Sequence, residues 1–128
     1  MVPKTKILLV DDEIEFASAL AERLQLRNYE VRTAHKALEA LAIIHDFLPD
    51  VVVLDLKIPG MDGIETLKTI KKIDPTIEVI MLTGHGDRWS VEAGMKSGAF
   101  EYIMKPVEIG ELTAKIDKAM KQRLTERK

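Results

Sequence analysis

Four short apolar runs constrain the fold of this chain of 128 residues more than any other feature. They are Ile7–Val10, Val51–Leu54, Val79–Leu82 and the weaker run Phe100–Met104, and Val31 marks a fifth candidate. Short continuous runs of this kind are typical of strands that are buried on both faces of a sheet. The chain therefore predicts a sheet that is covered by helices on both sides.

Between these runs, apolar residues recur at the three- and four-residue spacing of an amphipathic helix. The sets are Phe16, Leu20 and Leu24; Ala37, Leu41 and Ile44; Ile64, Leu67 and Ile70; and Leu112, Ile116, Ala119 and Met120. Residues 89–97 are predicted to form a poorer helix, because Gly94 costs about 1 kcal/mol relative to Ala and few apolar side chains recur there. Alternating strands and helices predict a parallel sheet with its site at the carboxyl ends of the strands.

The composition excludes several classes of protein. The formal net charge of −2 gives no overall attraction to nucleic acid or to an anionic membrane. The absence of Cys excludes disulfides and thiolate zinc sites and fits a reducing compartment, and the first apolar run is too short for a signal peptide or a membrane span. We expect one cytoplasmic domain over residues 1–128, without membrane or direct nucleic-acid contact. Its core would span about 5–122, and 123–128 would be a basic helix end or linker, with Arg123 in a solvated tail.

Charged and polar residues follow the predicted strands directly. Asp11 and Asp12 follow the first run, Asp55 follows Leu54, Thr83 follows Leu82, and Lys105 follows the last run. The carboxyl ends of parallel strands meet at one edge of a sheet, so these side chains are predicted to converge. Carboxylates held close together repel one another unless a cation neutralises them, and oxygen ligands favour Mg²⁺.

Such a convergence predicts phosphoryl transfer to a carboxylate. A carboxylate can attack phosphorus and form an acyl phosphate, and Asp55 is the candidate because it stands alone after the central run. Mg²⁺, Lys105 and Thr83 would meet the charge that develops on the phosphoryl oxygens. Each residue alone also has a structural explanation, since acids such as Asp12 or Asp62 often cap helices. The five residues together favour function.

Four segments of the chain carry these residues: Leu9–Glu13, Val53–Gly63, Met81–Gly84 and Ala99–Pro106. Together they resemble the response regulator receiver domain, the phosphoacceptor domain of two-component phosphorelays. The resemblance spans about the first 120 residues in register, and the combination is far more specific than any single motif. It implies a flavodoxin-like α/β fold, in which five helices flank a doubly wound, five-stranded parallel sheet of order 2-1-3-4-5.

The resemblance also implies how a metal ion and a phosphoryl group would be held. Asp55 would be the phosphoacceptor. Asp12, Asp55 and the main-chain carbonyl of Lys57 would bind Mg²⁺ directly, and Asp11 would act mainly through water. A histidine kinase or a histidine phosphotransfer protein would be the partner that supplies the phosphoryl group.

A conformational switch is implied by the same resemblance. Thr83 would hydrogen-bond one phosphoryl oxygen and Lys105 would pair with another, and the Lys105–Pro106 bond would be cis. Inward movement of Thr83 would let Tyr102 turn in and repack the surface made by helix 89–97, the last strand and the last helix. That surface would bind a downstream protein or a second copy of the chain.

Several residues near this surface are less informative. Trp89, the only tryptophan, is either a partner-binding anchor or a partly buried packing residue, and the sequence favours neither. His35, His45 and His85 have no second ligand at metal spacing, so we interpret them as surface or packing residues. The turn at 84–87 is predicted to be mobile, because its two glycines permit unusual backbone angles.

Two other functions are compatible with parts of this residue set. A phosphohydrolase of the haloacid dehalogenase type also uses an aspartate, Mg²⁺, a threonine and a lysine. It places a second acid two residues after the nucleophile, however, and this chain has Lys57 there. An interaction module that works without phosphorylation is the second alternative. We expect a signalling domain rather than an enzyme, since it would promote only its own phosphorylation and dephosphorylation.

Overall fold

The computed structural model of the chain describes residues 3–58, 60, 62–84 and 88–126. Within these residues, five strands alternate with five helices. The strands are β1 (Lys6–Val10), β2 (Glu30–Ala34), β3 (Val51–Asp55), β4 (Glu78–Thr83) and β5 (Glu101–Met104). The helices are α1 (Ile14–Gln25), α2 (Ala37–Phe47), α3 (Gly63–Ile73), α4 (Arg88–Lys96) and α5 (Ile109–Glu126).

The strands form one parallel sheet in the order β2-β1-β3-β4-β5, which confirms the predicted flavodoxin-like topology. The chain changes direction across the sheet between the neighbouring strands β1 and β3, so a crevice opens beyond their carboxyl ends. Strands β3 and β4 are buried along their whole length, and β1 is buried except at Lys6. Burial on both faces explains why their sequences are continuously apolar.

The edge strand β2 has a different burial pattern. Its residues alternate between exposed and half-buried before Ala34, which is fully buried. A strand with one neighbour and one open edge needs few apolar side chains. This pattern explains why only Val31 indicated a strand in this part of the sequence.

Two apolar clusters lie on opposite faces of the sheet. Leu8 and Val52 belong to the cluster that packs against α2 and α3, whereas Ile7 and Val51 belong to the one that packs against α1 and α5. Successive side chains of a strand point to opposite faces, so each central strand contributes to both clusters. Of the helices in the described part of the chain, none has the length and the apolar character that crossing a bilayer requires.

Helix α4, at Arg88–Lys96, confirms the helix predicted at residues 89–97 to within one residue at each end. Gly94 is its buried residue, and a Cβ atom built there would overlap the side chain of Met81 in β4. The glycine that lowers the intrinsic stability of this helix therefore lets it approach the sheet closely.

The prediction that Arg123 lies in a solvated tail is wrong. Helix α5 continues to Glu126, and Arg123 is only 5% exposed. Its Nε donates a hydrogen bond of 3.0 Å to Asp50 Oδ1, and its Nη1 donates to the Thr76 hydroxyl and lies 3.6 Å from Asp74 Oδ2. Acidic and hydroxyl groups at the amino edge of the sheet keep this guanidinium inside the molecule.

Candidate functional site

Three acidic side chains converge at the carboxyl edge of the sheet. One carboxylate oxygen each from Asp11, Asp12 and Asp55 lies within 4.8 Å of the others. Asp11 is fully buried and Asp55 is 7% exposed, whereas Asp12 is exposed. Because β1 and β3 are paired in parallel, the residues at their ends are neighbours in space. The structure thus brings together the three acids that the sequence indicated.

The main chain around Asp11 is fixed from two sides. Its N–H donates to the carbonyl of Ala34 at 3.0 Å, and its Oδ1 accepts a hydrogen bond from the N–H of Glu13 at 2.9 Å. His35 Nδ1 lies 2.8 Å from the Asp11 carbonyl oxygen, an atom that can only accept, so this nitrogen carries the proton. His35, interpreted from the sequence as a surface or packing residue, therefore holds the main chain of the site.

The two carboxylate oxygens of Asp55 have different partners. Oδ1 accepts a hydrogen bond of 2.9 Å from the N–H of Lys57, and Oδ2 lies 3.3 Å from Lys105 Nζ. The peptide bond between Lys105 and Pro106 is cis. One open cavity at this edge of the sheet is lined by Asp55, Lys57 and Lys105, together with Asp12, Glu13, Thr83 and Gly84.

The ammonium group of Lys105 lies among three carboxylates. Its Nζ is 2.7 Å from Glu13 Oε1, 2.8 Å from Asp11 Oδ2 and 3.3 Å from Asp55 Oδ2. The Phe16 ring centroid is 4.5 Å away, at a cation–π distance. Asp11 Oδ2 is within ion-pair distance of the ammonium but receives no well-aligned hydrogen bond from the described residues. Glu13 had no role in the sequence-based prediction.

Burial and charge act in opposite directions on these groups. Burial raises the pKa of Asp11, and it prevails over the lowering by the nearby Lys105 ammonium and by the hydrogen bond from the Glu13 main chain. Burial also disfavours the charged form of Lys105, but its close contacts with Asp11 and Glu13 and the charge of Asp55 raise its pKa overall. Both pKa values are therefore raised, but by different causes: burial decides the shift of the fully buried Asp11, whereas the neighbouring carboxylates decide that of Lys105, whose side chain is 22% exposed.

Thr83 and Tyr102 lie on neighbouring strands. Thr83 is 3% exposed, and its hydroxyl donates a long hydrogen bond of 3.4 Å to the carbonyl of Ile103 in β5. Tyr102 is 36% exposed, and its carbonyl accepts a hydrogen bond of 2.7 Å from Lys115 Nζ. The Thr83 hydroxyl is thus bonded to the edge strand β5.

Trp89, on α4, is 86% exposed, so it is not a partly buried packing residue in the folded monomer. His45 is exposed, as the sequence indicated. The turn predicted to be mobile comprises residues 84–87, and three of these, 85–87, lie outside the described residues, His85 among them.

The capping explanation holds for Asp62 but not for Asp12. Asp62 Oδ1 accepts a hydrogen bond of 2.7 Å from the N–H of Ile64, so this acid caps α3. The N-cap residue of α1 is Glu13, and Asp12 precedes it. Asp12 is therefore free of the structural role that we weighed against its function.

The sequence matches those of known proteins over most of its length. Residues 7–117 match the family model of the response regulator receiver domain. The chain is 40% identical over 113 residues to sporulation initiation phosphotransferase F of Bacillus subtilis, a match that covers 88% of this chain and 91% of that protein. It is 41% identical over 113 residues to the probable transcriptional regulator ycf27 of Guillardia theta, but spans only 44% of that protein.

Solved structures show the same fold. A response regulator receiver domain protein from Clostridium thermocellum superposes with a TM-score of 0.90 at 39% identity, covering 94% of this chain and 98% of that one. The chain also superposes on NtrX from Brucella abortus with a TM-score of 0.90 at 34% identity. This match covers 97% of the present chain but only 28% of the NtrX chain. From the family model, the relatives and the shared fold, we conclude that this chain belongs to the response regulator receiver domain family.

Proposed function

We propose that this receiver domain accepts a phosphoryl group on Asp55 in a Mg²⁺-dependent reaction in the cytoplasm, from a histidine kinase or a histidine phosphotransfer protein. The observation that carries the proposal is the convergence of Asp11, Asp12 and Asp55 beside the Lys105 ammonium. Receiver domains are generally not enzymes, and this one would promote only its own phosphorylation and dephosphorylation.

The acidic residues fit a hard divalent cation. Their donor atoms are all oxygens, and Asp11 Oδ2 is buried without a well-aligned hydrogen bond from the described residues. Asp12, Asp55 and the Lys57 carbonyl would hold Mg²⁺ directly, and Asp11 would act through water. When bound, the ion neutralises the carboxylates and the charge on the phosphoryl oxygens.

The protein groups around Asp55 orient it for attack. Its two oxygens are already held by the Lys57 N–H and the Lys105 ammonium. One oxygen would form the new bond to phosphorus, while the bond between phosphorus and the donor breaks and its electron pair leaves with the donor group. Lys105 would then pair with one phosphoryl oxygen, and the Thr83 hydroxyl would donate to another.

Movement of Thr83 would couple the site to the surface formed by α4, β5 and α5. Its hydroxyl would give up the bond to the Ile103 carbonyl, which is weak because it is 3.4 Å long. Tyr102 on β5 would turn inward and repack this surface, which would bind a downstream protein or a second copy of the chain. The exposed Trp89 would be an anchor for that contact. Phosphorylation would thus shift the population between two packings.

Intact mass after incubation with acetyl phosphate and Mg²⁺ tests the proposal. We expect the wild type to gain one phosphoryl group, and we expect no gain in Asp55→Asn or in the presence of a chelator. Asp62→Asn is the matched control, because Asn also caps helices well and Asp62 lies outside the acidic cluster. It should be labelled as the wild type is. An unlabelled wild type, under conditions that label another receiver domain, would instead favour a phosphorylation-independent interaction module.

A further inference from the structure

We propose that Glu13 is a positioning residue, which holds the Lys105 ammonium in the unphosphorylated domain and releases it when Asp55 is phosphorylated. The inference rests on the proposed function, because it takes Lys105 as the residue that pairs with the phosphoryl group. The contact between Glu13 Oε1 and Lys105 Nζ, at 2.7 Å, is the shortest of the three that this ammonium makes to carboxylates.

The Glu13 carboxylate is not used by the local structure. Glu13 is the N-cap residue of α1, but its side chain makes no capping hydrogen bond. A Ser, Thr, Asp or Asn side chain at this position ordinarily accepts a hydrogen bond from the first turn of its helix. That of Glu13 instead accepts from Lys105, a residue 92 positions away in the sequence. The contact therefore joins the start of α1 to the end of β5.

Three carboxylates share the charge of the ammonium, which donates hydrogen bonds to Glu13 and Asp55 and lies at ion-pair distance from Asp11. A lysine ammonium has three N–H groups, and Asp11, Glu13 and Asp55 provide three acceptors at or near hydrogen-bond distance. A phosphoryl oxygen would therefore compete with these carboxylates for the ammonium. Besides Asp55, the carboxylates that could give up the ammonium are Asp11 and Glu13, and these two differ sharply in their exposure to water.

Glu13 is the partner that can leave at the lower cost. Its side chain is 64% exposed, so water can replace the ammonium around its carboxylate. Asp11 is fully buried, and loss of the ammonium would leave a carboxylate in the interior without its cation. Lys105 can therefore keep Asp11 and exchange Glu13 for the phosphoryl oxygen.

A contact that exists in only one of two states biases the equilibrium between them. Because the Glu13 contact stabilises the unphosphorylated state, its loss should favour the phosphorylated one. Exposed ion pairs of this kind contribute little, so we expect an effect of about two- to fivefold on the equilibrium.

Binding of beryllofluoride, a tetrahedral analogue of the phosphoryl group, tests the inference in isothermal titration calorimetry with Mg²⁺ present. Glu13→Gln removes the charge and keeps the shape. Glu13→Asp keeps the charge but shortens the side chain and favours capping of α1. Glu15→Gln, in the first turn of α1, is the control for the loss of one negative charge nearby. We expect both Glu13 variants to bind the analogue about two- to fivefold more tightly, and Glu15→Gln to match the wild type.

Two results would overturn the inference and leave the proposed function intact. If Glu13→Gln binds more tightly but Glu13→Asp matches the wild type, the effect comes from charge and not from the contact. If all three variants match the wild type, Glu13 is not coupled to the site. A wild type that is neither labelled at Asp55 nor able to bind the analogue would overturn the proposed function, and this inference with it.

Discussion

Glu78, at the start of β4, is a buried acid that depends on one lysine. It is 4% exposed, and its Oε1 lies 3.1 Å from Lys71 Nζ, which also donates to the carbonyls of Pro75 and Ile77. Burial raises the pKa of Glu78, and the hydrogen bond and charge of Lys71 offset this only in part. Relative to the unfolded chain, the fold therefore favours the protonated form of this side chain.

Glu78→Gln should become more stable relative to the wild type as the pH rises. The free energy of unfolding of the variant minus that of the wild type should increase from about pH 4 to about pH 7. A folded-state pKa above the unfolded value contributes stability at low pH, which is lost as the pH rises through the folded-state value. Gln cannot ionise and still offers Lys71 an oxygen. Urea denaturation across this range measures the difference, and Glu65→Gln on the exposed face of α3 controls for the lost charge. The prediction would be contradicted if the free energy of unfolding of Glu78→Gln, relative to that of the wild type, fell with increasing pH.

Some positions in the site could be predicted from the sequence and others could not. Asp55 and Lys105 follow apolar runs, and the order of the strands alone brings them to one edge of the sheet. The pairing of Glu13 with Lys105 depends on the reach and direction of two long side chains. Neither quantity is encoded in a local pattern, so the sequence did not indicate it.

Helix α3 begins against the loop that leaves the site. Gly63 is its first residue, and a Cβ atom built there would overlap the main chain of Leu56. Leu56 lies between Asp55 and Lys57 in the chain. The glycine thus sets the distance between the start of α3 and the segment that carries Asp55, the proposed phosphoacceptor, and the Lys57 carbonyl.

Gly63→Ala should lower the free energy of unfolding by about 1–3 kcal/mol, because the main chain of Leu56 must move to admit the methyl group. It should also weaken Mg²⁺ binding, since the Lys57 carbonyl, a proposed ligand of the ion, belongs to the displaced segment. Gly110→Ala in α5 is the matched control, because its Cβ would meet only the flexible carboxylate of Glu108. Urea denaturation and calorimetric titration with Mg²⁺ check both effects. Equal values for Gly63→Ala and the wild type would show that the loop is not confined as described.

The elements differ in how well the sequence predicted them. Strands β1, β3 and β4 were the clearest, because burial on both faces leaves a continuous apolar run. Helix α4 was the weakest of the helices, because Gly94 serves its packing against Met81 and not its intrinsic helix stability. The helix forms because of its tertiary packing against the sheet, and a local sequence pattern carries no information about that packing.

At the level of the whole domain, an ionic network around the buried Arg123 closes the edge of the sheet opposite the site. Arg123 in the last turn of α5 contacts Asp50, just before β3, and Asp74 and Thr76, just before β4. Asp50 also accepts a hydrogen bond of 2.9 Å from the N–H of Lys6, at the start of β1. One arginine therefore joins the C-terminal helix to three central strands.

Arg123→Ala should lower the free energy of unfolding by about 3 kcal/mol, because it leaves Asp50 without its buried partner. Lys121→Ala, at an exposed position of the same helix, should change it by less than about 0.5 kcal/mol. Urea denaturation gives both values. Similar values for the two variants would mean that the last turn of α5 does not contribute to the core.

The exposure of Trp89 gives this domain a spectroscopic label of its own. The chain has one tryptophan, and its indole is 86% exposed on α4. The fluorescence of the protein above the tyrosine band therefore arises from a single site, in contact with water. Any event that excludes water from this face shifts that emission to shorter wavelengths, so the surroundings of α4 can be followed in real time without an attached dye.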